Sequence, residues 1–181
     1  MQHFLIGALK TVTNPLLFVL VAALLRLLPH PPNVAPIAAL ALFGGAYLGK
    51  RYALAVPFCA MLTSDMFLGF HATMPYVYGS FFATGIVGLW LARHKTVRNT
   101  ITATLGSSLL FFLVTNFGVW AQDALYPKTF DGLILSYAMG LPFFRNTLVG
   151  DFFFVGILFG GYELARFGAR YARMRLGTQK I

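Results

Sequence analysis

The sequence predicts an all-α integral membrane protein, a single transmembrane domain of six helices bundled together with both termini cytoplasmic. Three observations carry this. Of 181 residues, 58% are hydrophobic and only 10% charged, at a mean hydropathy of +0.73, whereas a water-soluble domain has about a quarter of its residues charged. The apolar residues gather into runs separated by short polar or proline-bearing connections. Lys and Arg cluster at alternate ends of those runs. A spanning helix takes ~20 residues, so six of them use nearly the whole chain and leave no room for a soluble domain.

The first run, 15–29, carries Arg26 near its end and stops at His30-Pro31-Pro32, because successive prolines cannot continue a helix. The second, 34–49, is short for a span, but flanking lysines snorkel and a bilayer thins locally around such a segment. Residues 52–70 form the third, with Pro57 and Cys59 inside it and Thr63-Ser64-Asp65 toward its end. A brief turn from His71 leads through Pro75 into the fourth, 75–92. Arg93, His94, Lys95 and Arg98 then precede the fifth, 100–121. The connection 122–146 is too polar and interrupted to span, with room for a short interfacial helix over 132–141. The sixth run is 147–165, and 166–181 is a basic cytoplasmic tail. A helix over 163–175, leaving the membrane into this tail, places Arg166, Arg170 and Arg173 on one face.

Orientation follows from the basic residues. Lys10, Lys50, Arg51, Arg93, Lys95, Arg98 and the tail's Lys and Arg fall on one side, against Lys128 and Arg145 on the other. The richer side is cytoplasmic. The net charge of +9 therefore reads as topology and contact with the lipid bilayer rather than with nucleic acid, which is not an expected partner. Cys59 is the only cysteine. It excludes an intramolecular disulfide and reads as a small packed hydrophobe. Residues 1–13 show no signal-peptide cleavage pattern, so no removable segment is expected. Small residues recur at helical spacing, Ala35 with Ala39, Ala41 with Gly45, Gly45 with Gly49 and Gly156 with Gly160; they let helices approach closely, inside the bundle or against a partner.

Ionisable side chains at membrane depth are costly, so the few present are the first functional candidates. Asp65, Asp151 and Arg26 all fall toward the outer face. Around them gather His30, Asn33, His71, Tyr76, Tyr78, Phe143, Arg145 and Asn146, with Asn116 and Trp120 on one face of the fifth span. Such an asymmetric cluster is expected to line a pocket open to the outside, with Asp65, His71, Tyr76, Tyr78, Asn116, Trp120, Arg145, Asn146 and Asp151 as the substrate-binding set. The plainer alternative is an aromatic belt with ion pairs, Asp65 or Asp151 to Arg26 or Arg145, holding helices together. Ser80, Ser107 and Ser108 sit in no nucleophile motif, no pair of His or Glu is spaced for a metal, and no Gly-rich Lys-Ser/Thr loop occurs for ATP. No enzymatic activity, cofactor or metal is expected. Energy from ATP would have to come from another subunit.

The sequence resembles the substrate-binding S components of energy-coupling factor transporters over roughly residues 15–165. The resemblance is carried by Pro32-Asn33-Val34-Ala35-Pro36 with the run Ala38 to Ala46, by Ser64-Asp65 through His71 to Pro75-Tyr76-Val77-Tyr78, by Thr115-Asn116-Phe117-Gly118-Val119-Trp120, and by Pro142-Phe143-Phe144-Arg145-Asn146-Thr147 with Gly150-Asp151. It implies a six-span carrier of the bacterial cytoplasmic (inner) membrane, with a pocket near the outer face for a small vitamin-like molecule. The partner implied is an energising module of a transmembrane T subunit and ATPases. The segments are most similar to an S-component-like branch near the solitary cobalamin-uptake carrier, so cobalamin or a related cofactor precursor is the implied ligand. In such carriers a cysteine near the outer pocket binds cobalt, whereas Cys59 lies toward the inner half of its span. The rival expectation is a structural or assembly membrane protein that docks a partner through its small-residue helix faces.

Overall fold

A computed structural model describes residues 14–177, all helices and connections with no strand among them. Expectations for residues 1–13 and for the last residues of the basic tail lie outside that range. The helices are α1 (Pro15–Leu27), α2 (Ile37–Phe43), α3 (Lys50–Leu68), α4 (Met74–Leu91), α5 (Val97–Gln122), α6 (Phe130–Val155) and α7 (Gly161–Gly177). A π-helical turn, Gly44–Leu48, extends α2, and another, Gly156–Gly160, joins α6 to α7.

Local chemistry explains the boundaries. Asn14 caps α1, accepting from the Leu16 N–H at 3.0 Å, and Pro15 sits in the first turn, where its missing N–H is no loss. Thr96 and Thr129 cap α5 and α6 by accepting from the N–H groups of Asn99 and Gly132. Gly49 and Gly69 flank α3 at φ of 95° and 94°, a backbone region that a side chain disfavours.

Every residue of α2 is buried, as expected of a helix apolar on all sides. It packs against α3, α4, α5 and α6, and Phe18 of α1 joins the same core. Its shortness is thus met by enclosure within the bundle. Phe43 anchors an aromatic cluster with Phe18, Tyr47, Phe159 and Tyr162, ring centroids 4.9–5.6 Å apart. Glycines bring backbones together beside it. A Cβ on Gly45 would stand 2.5 Å from the Gly88 carbonyl carbon, and one on Gly85 2.6 Å from the Ala53 oxygen.

The distribution of polarity is that of a membrane protein. Ser64, Asp65, Ser80, Thr84, Thr104, Ser108, Ser136, Thr147 and Asp151 are buried, while Leu16, Leu20, Leu24, Phe67, Ile134, Leu141 and Phe153 are exposed. Water would demand the reverse. Most buried hydroxyls return to the carbonyl one turn back, as in Ser80 to Tyr76 and Thr84 to Ser80 at 2.7 and 2.9 Å. Three helices are long and apolar enough to cross a membrane, Met74–Leu91, Val97–Gln122 and the continuous Phe130–Tyr171; Leu16–Leu27 and Ile37–Leu48 are shorter apolar helices.

One expectation is corrected. The polar stretch 122–146 is not a connection holding a short interfacial helix: only residues 123–129 form the turn, and α6 begins at Phe130, well ahead of the expected start at 147. Residues 130–146 fold back along α5, with Tyr137 donating to the Leu113 carbonyl at 3.0 Å and Ser136 to that of Asn116 at 2.8 Å. Pro142 lies inside the helix without ending it.

Candidate functional site

Arg26, near the end of α1, donates to Asp65 Oδ1 on α3 at 2.8 Å, to the Ser64 hydroxyl, and to the Met61 carbonyl at 3.4 Å. The Tyr78 hydroxyl of α4 donates to Asp65 Oδ2 at 2.7 Å. Asp65 is 1% exposed, and each of its carboxylate oxygens is engaged. This network joins three helices, and a buried charge so paired costs far less than a lone one.

Beside it lies a cavity of ≈ 260 Å³, lined by Arg26, His30, Asn33, Met61, His71, Phe81, Phe111, Thr147 and Asp151 together with Ala35, Ile37, Ala38 and Val77. The connection 28–36 and the turn 69–73 contribute the loop residues of its wall. Asn33 adopts a left-handed φ of 65°, which asparagine tolerates better than most residues, and the Val34 N–H closes a turn onto the Pro31 carbonyl at 3.1 Å. Asn146 Nδ2 donates to the Pro32 carbonyl at 3.1 Å and ties this connection to α6. Gly150 lies against Val34, where a Cβ would come within 3.1 Å of its Cα. On the other side, His71 Nδ1 pairs with Thr73 Oγ1 at 2.8 Å.

Asp151 is 3% exposed and lines the cavity. Ser108 of α5 donates to its Oδ2 at 2.6 Å, and no basic side chain among the described residues lies within ion-pair distance. Although His30, His71 and Asp151 border one cavity, no three His, Cys, Asp or Glu among the described residues converge closely enough to hold a metal ion.

Of the sequence-expected set, His71 and Asp151 line this cavity; Asp65 stands behind Arg26, and Asn146 fastens the neighbouring connection. Tyr78 borders a separate apolar crevice with Phe58 and Phe82. Tyr76 packs its ring on Gly118, and its hydroxyl accepts from Gln122 at 3.4 Å. Asn116 lies against Gly140, and Trp120 donates to the Pro127 carbonyl at 2.9 Å, so both build the α5–α6 hairpin. Arg145 and Phe143 are exposed on α6. Cys59 is exposed on α3 and outside the cavity, not packed as its apolar surroundings implied, because it faces away from the bundle. Sequence reasoning missed Ser108, Thr147, Phe81 and Phe111. Ser108 and Thr147 recur with Thr104 and Asp151 at helical spacing, a polar face within apolar runs that could have marked them.

These features define an all-helical membrane protein with a small, partly polar cavity among its helices. The chain belongs to DUF6580, a family of unknown function whose model matches residues 8–174. Comparison with curated proteins and with solved structures gives no match.

Proposed function

We propose that the protein captures a small vitamin-like molecule at the outer face of a bacterial cytoplasmic membrane and passes it inward, in the manner of an S component, with six helical spans and both termini inside. The cavity of ≈ 260 Å³ beside Arg26, His71 and Asp151 carries this reading. Ligand sites combine apolar walls with a few oriented polar groups, and typical ones hold ~300–1,000 Å³. This one falls just below that range, which favours a molecule of one or two rings over a corrin. A corrin would need the connections 28–36 and 69–73 to swing apart. Entry between them and their closure over the ligand require no chemical change of it, so the protein acts as a carrier and not an enzyme. Passage inward then needs a second state of the bundle that binds the ligand less well, with an ATPase-bearing partner module as the source of energy.

The rival, an assembly protein docking through small-residue faces, draws support from Gly106, Gly156 and Gly160, which have open space beside them. Gly45, Gly85 and Gly88, by contrast, are used inside the bundle. Thermal unfolding of the purified protein against a panel of vitamins and cofactor precursors separates the two. A ligand at 100 times its dissociation constant stabilises a carrier by ~2.7 kcal/mol. A panel without any stabilising member, alongside co-purification of a stoichiometric membrane partner, would favour assembly.

A further inference from the structure

We infer that the cavity selects a ligand carrying a cationic nitrogen on an aromatic or heterocyclic ring, with that nitrogen held at Asp151. This rests on the capture reading and narrows it to a chemical class.

Two charged residues other than histidine line the cavity, and they differ in what surrounds them. Arg26 has its counter-ion in Asp65 at 2.8 Å. Asp151 has the neutral Ser108 hydroxyl on one oxygen and no cation within ion-pair distance among the described residues. The group left for a ligand to pair with is therefore the acidic one. A carboxylate this deeply buried is costly without a cation, and a cationic ligand supplies one at the cavity wall. Phe81 and Phe111, their centroids 5.1 Å apart and their rings stacked, line the same space. Aromatic rings attract an adjacent cation and pack against a flat heterocycle. Asn33, His30 and the remaining guanidinium nitrogens of Arg26 offer hydrogen bonds to a carbonyl or amide elsewhere on the ligand. The volume confines the whole to one or two rings.

A matched set of probes isolates the charge: 1-methylnicotinamide is cationic, nicotinamide neutral and nicotinate anionic on one ring skeleton. Titration of the detergent-purified full chain should give the tightest binding for 1-methylnicotinamide, by about tenfold or more over nicotinamide, the equivalent of ~1.4 kcal/mol. Asp151→Asn, which keeps the shape and can still accept from Ser108, should abolish that preference, so that 1-methylnicotinamide binds no more tightly than nicotinamide. Ser108→Ala, with the carboxylate intact, should keep the preference and guard against a folding defect in the first variant. Equal or tighter binding of nicotinamide or nicotinate by the wild type overturns the cationic class and leaves capture standing. Binding of none of the three likewise overturns this inference, whereas capture falls only if the wider vitamin panel also fails. A cation preference that persists in Asp151→Asn overturns the assignment to Asp151.

Discussion

Asp65 and Asp151 are both buried carboxyl groups, yet their neighbours give them different work. Asp65 answers Arg26 and Tyr78 and holds α1, α3 and α4 together. Removing its charge strands a guanidinium, and breaking a buried pair from one side costs ~3–5 kcal/mol. Asp65→Asn should therefore lower stability by roughly that amount, and Asp151→Asn, whose partner is a hydroxyl an amide can still satisfy, by less than ~1.5 kcal/mol. Denaturant unfolding of the two variants side by side in one detergent reads this directly; equal losses would contradict the division of roles. Both aspartates were legible in the sequence because charge inside an apolar run is conspicuous. Their partners were not, since Arg26 and Arg145 were available to either. Nor was Tyr78 separable from an interfacial tyrosine until helix rotation placed its hydroxyl on Asp65.

Helix contacts depend on rotation in the same way. The spacing of Ala41, Gly45 and Gly49 shows a small-residue face, but only packing reveals that it meets Gly88 of α4, and that Gly85 meets Ala53 of α3. A methyl added at Gly45 or Gly88 would collide with backbone, which cannot rotate away as a side chain can. Gly45→Ala and Gly88→Ala should each cost ~1–3 kcal/mol. At Gly156, where nothing lies within 4 Å, alanine should be neutral or stabilise by up to ~1 kcal/mol. Melting temperatures of the three single variants test this, and tolerance at Gly45 and Gly88 would mean the helices stand further apart. The extent of α6 escaped sequence reading for another reason. Polarity over 122–146 marks where a segment can leave lipid, whereas a helix ends only where its backbone hydrogen bonding ends. Thr129 as a cap with Asp131 in the first turn was the available signal.

At the scale of the whole molecule, the proposed topology has to accommodate helices of unequal length. α5 has 26 residues, ~39 Å at 1.5 Å per residue, against a hydrocarbon core of ~30 Å. In that topology its excess, and the half of α6 laid against it, would place polar residues such as Asp123, Lys128 and Asp131 beyond the apolar layer without interrupting either helix. The connections 28–36, 69–73 and 123–129 would then share the outer face. Gly49, the turn after α4 and α7 would share the inner one, where Lys95 reaches the Ala46 carbonyl at 3.2 Å and Tyr47 donates to Glu163 at 2.7 Å. Cysteine labelling in intact cells tests this arrangement once the exposed Cys59 is replaced by serine. A membrane-impermeant maleimide should modify Pro32→Cys, Ala72→Cys and Leu125→Cys from outside, and Lys50→Cys, Arg93→Cys and Arg170→Cys only after the membrane is opened. Labelling of Leu125→Cys from the inside would be the most damaging result. It would put the α5–α6 turn inside and the basic residues at the other end of α5 outside, the reverse of the charge rule on which the orientation rests, and the cavity would then open toward the cytoplasm, where it could not receive a ligand from outside.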